Sequence, residues 1–263
     1  MRSRRAIKSA GALGLLALSA TACSGQASRL GMPEPISDQA ERMLKLWQGS
    51  WIAAFSVGAV VWGLIIWAVL FHRKRSSDLP PQVRYNMPIE ILYTAVPFVI
   101  IGVLFYFTAR DESYVEKTTK NPAVTVDVTG FQWSWQFDYK EKEGGQEKTV
   151  ASVVGTPVAP NAPQGAKPVM VVPSDRTIRV RLHANDVIHS FWVPALLYKK
   201  DVMPGYTNEF EFTARKQGVY EGRCAELCGV DHSRMLFQLQ VVSPDQYNTW
   251  LAGQKAKAAG GVK

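Results

Sequence analysis

The sequence predicts a membrane-anchored α+β protein, in which two transmembrane helices precede an all-β domain on the outer side of the membrane. Two long uncharged apolar runs, at residues 50–71 and 91–109, predict the helices, because about 20 apolar residues span a bilayer. From residue 121 onward, short runs of alternating apolar and polar residues predict half-buried strands. Many short strands without intervening helical patterns indicate a sandwich or a barrel.

The first 22 residues have the features of a signal peptide. A basic start precedes an apolar stretch that ends in small residues. Cys23 follows directly, in the position of the lipidated cysteine of a bacterial lipobox. Ordinary cleavage beside an incidental cysteine is the alternative. We interpret residues 23–49, which begin with many Ser, Gly and Pro residues, as a linker and a lead-in to the first helix.

The two apolar runs form a predicted helical hairpin over residues 50–110. Proline at position 97 is tolerated in a membrane helix when neighbouring groups satisfy the backbone. The connecting loop carries the basic residues Arg73, Lys74, Arg75 and Arg84. The positive-inside rule therefore places this loop in the cytoplasm and both ends of the mature chain outside, as a cleaved export signal requires. A buried helix pair in a soluble protein is the alternative.

The positive charge is unevenly distributed along the chain. Residues 1–110 carry 12 Lys and Arg residues against 5 Asp and Glu residues, whereas residues 111–263 carry 18 against 17. A nucleic-acid-binding protein is expected to show its basic patch on the folded domain. The near-neutral outer domain therefore argues against nucleic acid as a partner.

The predicted outer domain covers residues 111–250. Within it, a polar insert near residues 140–168 lacks apolar periodicity and predicts an exposed hairpin or loop. The last 13 residues, 251–263, are mostly Ala, Gly and Lys, and we expect them to form a flexible tail.

One stretch of the outer domain is rich in potential metal ligands. Cys224, Cys228, His232 and Met235 lie within 12 residues, and His189 lies upstream. A mononuclear blue-copper site needs one Cys, two His and an axial Met. The second thiolate here allows two copper ions to be bridged, each with one His. Met235 and the backbone carbonyl of Glu226 could then supply one weak ligand each.

Three other interpretations of these residues remain open. A zinc site could use two Cys and two His residues, but it would leave Met235 and Glu226 without a role. A disulfide between Cys224 and Cys228 is chemically reasonable outside the cytosol. The two thiols could also be buried core residues without any ligand function.

The ligand-rich stretch resembles a known family. The C-x-E-x-C-G-x-x-H-x-x-M run from Cys224 to Met235 and the D-V-x-H-S-F run from Asp186 are similar to the copper A motif of subunit II of haem–copper cytochrome c oxidases. The resemblance implies a cupredoxin-like barrel on a bacterial cell membrane, and a dinuclear copper centre that takes electrons from a c-type cytochrome. The electrons would pass to haem in subunit I, which reduces dioxygen and pumps protons; subunit III is a further implied partner.

The same resemblance assigns roles to four residues. Trp133 matches the residue that accepts electrons from the cytochrome, although it could simply pack in the core. Asp186 matches a carboxylate that docks the cytochrome, although Asp is also common in turns. The carboxylate of Glu226 is expected to bind magnesium shared with subunit I. Glu90 matches the mouth of a proton path in the partner subunit, although a Glu at a helix N-terminus is also a common cap.

Proteins of other classes share part of this pattern. A membrane-anchored copper-delivery protein of thioredoxin fold also has a C-x3-C pair, but it would show βαβ units. A quinol oxidase subunit would lack the cysteines, and nitrous oxide reductase carries a similar copper domain on a large soluble enzyme. The chain has no C-x-x-C-H motif, so we expect no haem on it.

Overall fold

The computed structural model of the chain describes residues 25, 27–75, 79, 82–157 and 167–260. The predicted signal peptide and Cys23 lie outside these residues. The described chain divides into two units, residues 45–114 and a second unit that combines the N-terminal residues up to 44 with residues 115–263. The first unit contains the apolar parts of two long helices, and the second contains ten strands.

Helix α1 (Asp38–Phe71) and helix α2 (Met87–Val115) are long and apolar enough to cross a membrane, with mean hydropathies of 2.3 and 2.1 over their best windows. Both helices begin earlier than residues 50 and 91. The Ser37 hydroxyl accepts a hydrogen bond from the Ala40 amide at 3.1 Å and caps α1. Apolar runs mark only the part of a helix that lipid would cover, so the polar first turns are missed.

The start of α2 is capped in both directions. The Asn86 side chain lies 3.4 Å from the Ile89 amide, and the Glu90 carboxylate accepts a hydrogen bond from the Asn86 amide at 2.9 Å. This arrangement resembles a capping box. The carboxylate of Glu90 therefore has a structural partner on its own helix.

Two five-stranded sheets build the outer domain, as the alternating pattern predicts. The first sheet has the order β3-β2-β1-β5-β8, and the second has the order β4-β10-β9-β6-β7. The strands of the first sheet are β1 (Val124–Phe131), β2 (Ser134–Glu143), β3 (Gln146–Val154), β5 (Thr177–Ala184) and β8 (Asn208–Thr213). Those of the second are β4 (Val169–Pro173), β6 (His189–Val193), β7 (Tyr198–Val202), β9 (Gly218–Cys224) and β10 (Leu236–Val242).

The pairing is antiparallel except where β1 meets β5 and β10 meets β4. Every second residue of β1 and β10, and of β5 as far as Leu182, is buried, so the two sheets face each other across one core. Aromatic rings fill its centre: Phe237 lies 5.3 Å from Trp135 and 4.8 Å from Phe191, centroid to centroid. This aromatic layer lies directly beneath the ligand-rich loop described below.

The structure describes part of the polar insert near residues 140–168. The first half of the polar insert is a regular hairpin, in which Gly144 and Gly145 turn between β2 and β3 with φ angles of 61° and 84°. Positive φ at both turn residues favours glycine and suits a two-residue hairpin loop. Residues 158–166 lie outside the described residues.

Residues 251–260, which we expected to be part of a flexible tail, are helical in the structure. Helix α3 (Pro244–Gly260) continues through residue 251 and beyond. Tyr247 and Leu251 are buried, and the rings of Tyr247 and Trp250 contact Tyr139 of β2. The Ala- and Lys-rich composition obscured this short apolar stripe, whose spacing of three and four residues is that of one helix face.

Candidate metal centre

Two adjacent strands bring the separated ligands together. His189 is the first residue of β6, rather than a residue of the loop before it, and Cys224 is the last residue of β9. These strands are antiparallel neighbours, and Phe191 is paired with Cys224. The remaining ligands lie on the loop from β9 to β10, which we call the cysteine loop (residues 225–235). The Cys224 amide donates to the Met235 carbonyl at 3.1 Å and closes this loop.

The two thiols are close but not bonded. The Sγ atoms of Cys224 and Cys228 lie 3.8 Å apart, whereas a disulfide requires about 2.05 Å. The Nδ1 atom of His189 lies 3.9 Å from the Cys224 sulfur, and the Nδ1 atom of His232 lies 3.6 Å from the Cys228 sulfur. Among the described residues, His189, Cys224 and Cys228 form a buried group whose ligand atoms all lie within 4.8 Å of one another.

Two weaker donors complete the cluster. The Met235 thioether sulfur lies 3.8 Å from the Cys228 sulfur, and the Glu226 carbonyl oxygen lies 3.2 Å from the Cys224 sulfur. The cluster therefore offers two thiolates, two imidazoles and two weak donors. This set fits a pair of copper ions bridged by sulfur, with one nitrogen and one weak donor for each ion. A single tetrahedral zinc ion would use four of these donors.

A carboxylate fixes the orientation of His189. The Nε2 atom of the ring lies 2.8 Å from Oδ1 of Asp186, which leaves Nδ1 directed toward the thiols. Oδ2 of Asp186 accepts a hydrogen bond from the Gln132 amide at 2.7 Å. Metal-binding histidines commonly hold their second nitrogen in this way. The predicted docking residue therefore also has a structural role at the centre.

The two thiols have opposite tendencies to ionise. Burial opposes ionisation of Cys224, but hydrogen bonds led by that from His189 outweigh it and lower its pKa to about 7. Burial and the charge of Cys224 raise the pKa of Cys228 to about 12. One thiolate therefore forms readily at neutral pH, and the second needs a cation beside it. Metal binding would supply that cation and release the proton.

The cysteine loop is held from β2 and the turn that precedes it. The side-chain amide of Gln132 and the indole N–H of Trp133 both donate to the Cys228 carbonyl, at 2.8 and 3.2 Å. Gly229 has a φ angle of 127°, and a Cβ atom there would lie 3.0 Å from the Trp133 ring. The loop therefore packs tightly against Trp133, which is partly buried rather than a fully buried core residue.

Several residues that support the ligands were not predicted from the sequence. Trp135 is fully buried and donates its indole N–H to the Met235 carbonyl at 3.3 Å. Gly130 allows His189 to pack on the β1 backbone, since a Cβ there would lie 3.1 Å from the imidazole. Gln132 fixes Cys228. They lie in a stretch, residues 130–139, that contains five aromatic residues, and composition alone does not distinguish a residue that supports the ligands from one that packs in the core.

The remaining predicted site residues lie elsewhere or outside the described chain. Glu90 caps α2, and Cys23 is not among the described residues. Glu226 contributes its carbonyl to the cluster, and the residue as a whole is exposed.

Comparison with known proteins connects this ligand cluster with the family that the sequence motif resembles. Residues 124–242 match the family described as cytochrome c oxidase subunit II, periplasmic domain. The chain is 48% identical to a probable cytochrome c oxidase subunit 2 of Streptomyces avermitilis, over 94% of this chain and 86% of that protein. It is 36% identical to cytochrome c oxidase subunit 2 of Mycobacterium tuberculosis, over 95% of this chain and 82% of the relative.

Among solved structures, the crystal structure of the periplasmic domain of subunit II of the Bradyrhizobium japonicum cytochrome oxidase is 34% identical. The match covers 53% of this chain and 99% of that domain, with a TM-score of 0.44. The extent and identity of the match to the two bacterial relatives decide the assignment: the chain belongs to the cytochrome c oxidase subunit II family.

Proposed function

We propose that this chain accepts electrons from a c-type cytochrome at a dinuclear copper centre and delivers them to haem in subunit I of the same oxidase. The observation that carries the proposal is the pair of unbonded sulfurs 3.8 Å apart, surrounded by two imidazole nitrogens and two weak donors. When bound, the copper pair would supply a one-electron couple with its charge spread over two ions. Dioxygen reduction and proton pumping belong to the partner subunit.

The protein's own contribution is a rigid, dry frame for these ligands. Asp186 fixes the His189 ring, Gln132 and Trp133 fix the Cys228 carbonyl, and Trp135 fixes the Met235 carbonyl. His189, Met235 and both cysteines are at most 4% exposed. A frame held by so many hydrogen bonds changes little when an electron arrives, and this property suits a relay.

Three finer roles also belong to the proposal. Trp133 receives the electron, because its indole contacts the backbone of a thiolate ligand and the ring is only partly buried. The exposed Glu226 carboxylate binds magnesium beside subunit I, because a hard cation prefers oxygen ligands. Glu90 lies at the cytoplasmic mouth of a proton path in subunit I, in addition to its capping role. Subunit III would complete the assembly.

The test of the copper proposal measures stoichiometry in the full chain, purified in detergent and loaded with copper. We expect two copper ions per chain and one unpaired electron shared by both nuclei in the oxidised state. Cys228→Ser should abolish the shared-electron signal, because one of the two thiolates that would hold the copper pair is lost. Met235→Leu should retain both ions and shift the reduction potential, since a thioether would act as a weak donor that tunes a copper site.

Metal analysis and electron paramagnetic resonance report both quantities. One copper per chain, or tight zinc binding in its place, would refute the dinuclear centre. The fold provides a further discrimination: the described strands form two packed sheets without βαβ units, so the arrangement is not that of a thioredoxin-like copper-delivery protein.

A further inference from the structure

A partly open cavity of about 340 Å³ lies between the two membrane-length helices. Its wall is mostly apolar and includes Leu46 and Ala53 of α1, and Val103, Leu104 and Phe107 of α2. Charged residues stand at one end of this wall: Lys45 on α1, and Arg110 and Asp111 on α2. All these residues belong to the same structural unit, residues 45–114.

At the charged end of the cavity, several contacts fix the positions of the charged side chains. Asp111 is 2% exposed, and its Oδ1 accepts hydrogen bonds from Nε and Nη2 of Arg110 at 3.0 and 2.9 Å. The guanidinium also lies 4.9 Å from the centroid of the Phe107 ring. These contacts hold Arg110 against the cavity wall, where a guanidinium provides planar, bidentate recognition of phosphate. With Lys45, the end of the cavity has a net positive charge.

The neighbouring aromatic residues indicate the depth of this site. Trp47 and Trp51 are one turn apart on the same part of α1, with ring centroids 5.6 Å apart. Tryptophan is enriched where hydrocarbon gives way to lipid headgroups. By the topology argued above, this part of α1 and the end of α2 lie at the outer surface of the membrane. The cations therefore lie at headgroup level, with the apolar wall below them.

The volume of the cavity and the charges at its end indicate what kind of molecule it can bind. One turn of a helix, about 10 Å wide and 5.4 Å long, occupies about 400 Å³, so a partner helix does not fit inside the cavity. Part of an extended hydrocarbon chain, which is much thinner than a helix, can lie along the apolar wall, and the net positive charge at the end of the wall favours a negative group above it. Basic sites between transmembrane helices have this affinity for anionic lipid headgroups.

We propose that the cavity between α1 and α2 binds one anionic phospholipid of the outer leaflet, with its phosphate at Lys45 and Arg110 and an acyl chain along the apolar wall. This site is independent of the copper centre. It assigns Asp111 a positioning role, because the carboxylate holds the Arg110 guanidinium at the headgroup.

The test uses the delipidated full chain in detergent and native mass spectrometry. The probes are phosphatidylglycerol, phosphatidylcholine of the same acyl chains, and glycerol phosphate without chains. We expect one tightly bound phosphatidylglycerol, weaker binding of phosphatidylcholine, and no competition from glycerol phosphate. Lys45→Gln and Arg110→Gln should each weaken phosphatidylglycerol binding about fivefold and weaken phosphatidylcholine binding less, because the choline group offsets the charge of its phosphate.

A second pair of variants tests the apolar wall without altering charge. Gly49 lines the cavity, and a Cβ atom there would meet nothing within 4 Å. Gly49→Leu should therefore fill the cavity and abolish lipid retention, while the α1 helix is strengthened. Gly63→Leu is the matched control, since Gly63 is on the same helix, outside the cavity lining, and a Cβ atom there also meets nothing within 4 Å.

Four outcomes would overturn the proposal. They are equal binding of the two phospholipids, full competition by glycerol phosphate, undiminished binding by Gly49→Leu, and equal losses in Gly49→Leu and Gly63→Leu. The assembled oxidase provides a final check. Phosphatidylglycerol should remain with the wild-type complex after detergent washing and be lost from the Gly49→Leu complex; a complex without such a lipid would contradict the site.

Discussion

At the scale of single residues, the contact between His189 and Asp186 determines which ring nitrogen faces the thiols. Burial lowers the pKa of His189, but contacts with Cys224 and Asp186 outweigh it, so the pKa is raised. Burial likewise raises the pKa of Asp186, but its hydrogen bonds to His189, Gln132 and Val187 produce a net lowering. In the copper-free protein both shifts favour a protonated His189 paired with an ionised Asp186.

Removing the Asp186 carboxylate should change both copper affinity and the pH profile of stability. The raised pKa of His189 stabilises the fold below the usual value of about 6.5, and this stabilisation is lost as pH rises through the folded-state pKa. The lowered pKa of Asp186 stabilises the fold above about 3.9, and this stabilisation is lost as pH falls. The stabilisation that this pair gives the copper-free protein should thus be largest between about pH 4 and 6.5.

Asp186→Asn should flatten this profile, and Asp186→Ala should also lower copper affinity roughly 10- to 100-fold. Denaturant unfolding across pH and copper titration with a competing chelator provide the two measurements. Asp245→Asn is a control, since Asp245 is exposed in the first turn of α3, beyond the end of β10 that lies away from Met235. An unchanged pH profile in Asp186→Asn would refute the ion pair.

Trp133 permits a second test at the residue scale. Trp133→Phe should slow reduction by cytochrome c while the copper signal remains, because the indole bonds the Cys228 carbonyl but supplies no ligand. Trp250→Phe is the matched control, since Trp250 is also partly buried but packs on Tyr139. A normal reduction rate combined with a lowered thermal midpoint would make Trp133 a packing residue only. Stopped-flow reduction and thermal unfolding distinguish the outcomes.

At the scale of elements, a segment that reads as a linker is part of the outer domain. We call residues 32–37, just before α1, the N-terminal strap. The Ile36 amide donates to the Ala195 carbonyl at 3.2 Å, and its carbonyl accepts from the Arg215 amide at 2.7 Å. Ile36 is 2% exposed and belongs to the domain core. The Arg215 guanidinium binds the Asp38 carboxylate at 2.6 and 2.8 Å.

Truncating the strap's core residue should destabilise the outer domain. Ile36→Ala should lower its free energy of unfolding by about 2–5 kcal/mol, because it removes buried methyl groups and leaves a cavity. Leu30→Ala is the matched control and should have little effect, since Leu30 is 37% exposed. Guanidinium unfolding of the full chain, followed by near-ultraviolet circular dichroism, measures the difference. Equal effects of the two changes would show that the strap is not part of the core.

The strap and helix α3 also show why some elements escape sequence analysis. Local periodicity identifies strands such as β1, β5 and β10, in which buried and half-buried residues alternate, but not β4 and β6, which are buried at nearly every residue. Motif spacing identifies the ligands of the cysteine loop. The strap has no periodicity, and its order comes from Ala195 and Arg215, which are distant in sequence. Asp186 was predicted as a docking residue, and its bond to His189 is visible only once β6 is in place. Tertiary contacts decide all three cases.

At the scale of the whole molecule, the chain combines two membrane-length helices with a copper-type β domain. The basic loop between the helices predicts the orientation. A reporter that is active only outside the cytoplasm should be silent when fused after Ser77 and active when fused after Lys263. A reporter that is active only in the cytoplasm should give the reverse pattern and serves as the control. Activity of the external reporter at Ser77 would invert the predicted topology.

The strap also imposes an order on biogenesis. It leaves the ribosome about 160–180 residues before its partners Ala195 and Arg215, so at 5–20 residues per second it waits roughly 8–36 s for them. Both helices are made during this interval. The strap can bind the outer domain only if both reach the same side of the membrane. A chain whose first helix inserted backwards would leave the Ile36 site on the domain unfilled. The core of the outer domain is thus complete only in chains whose first helix has inserted in the correct orientation.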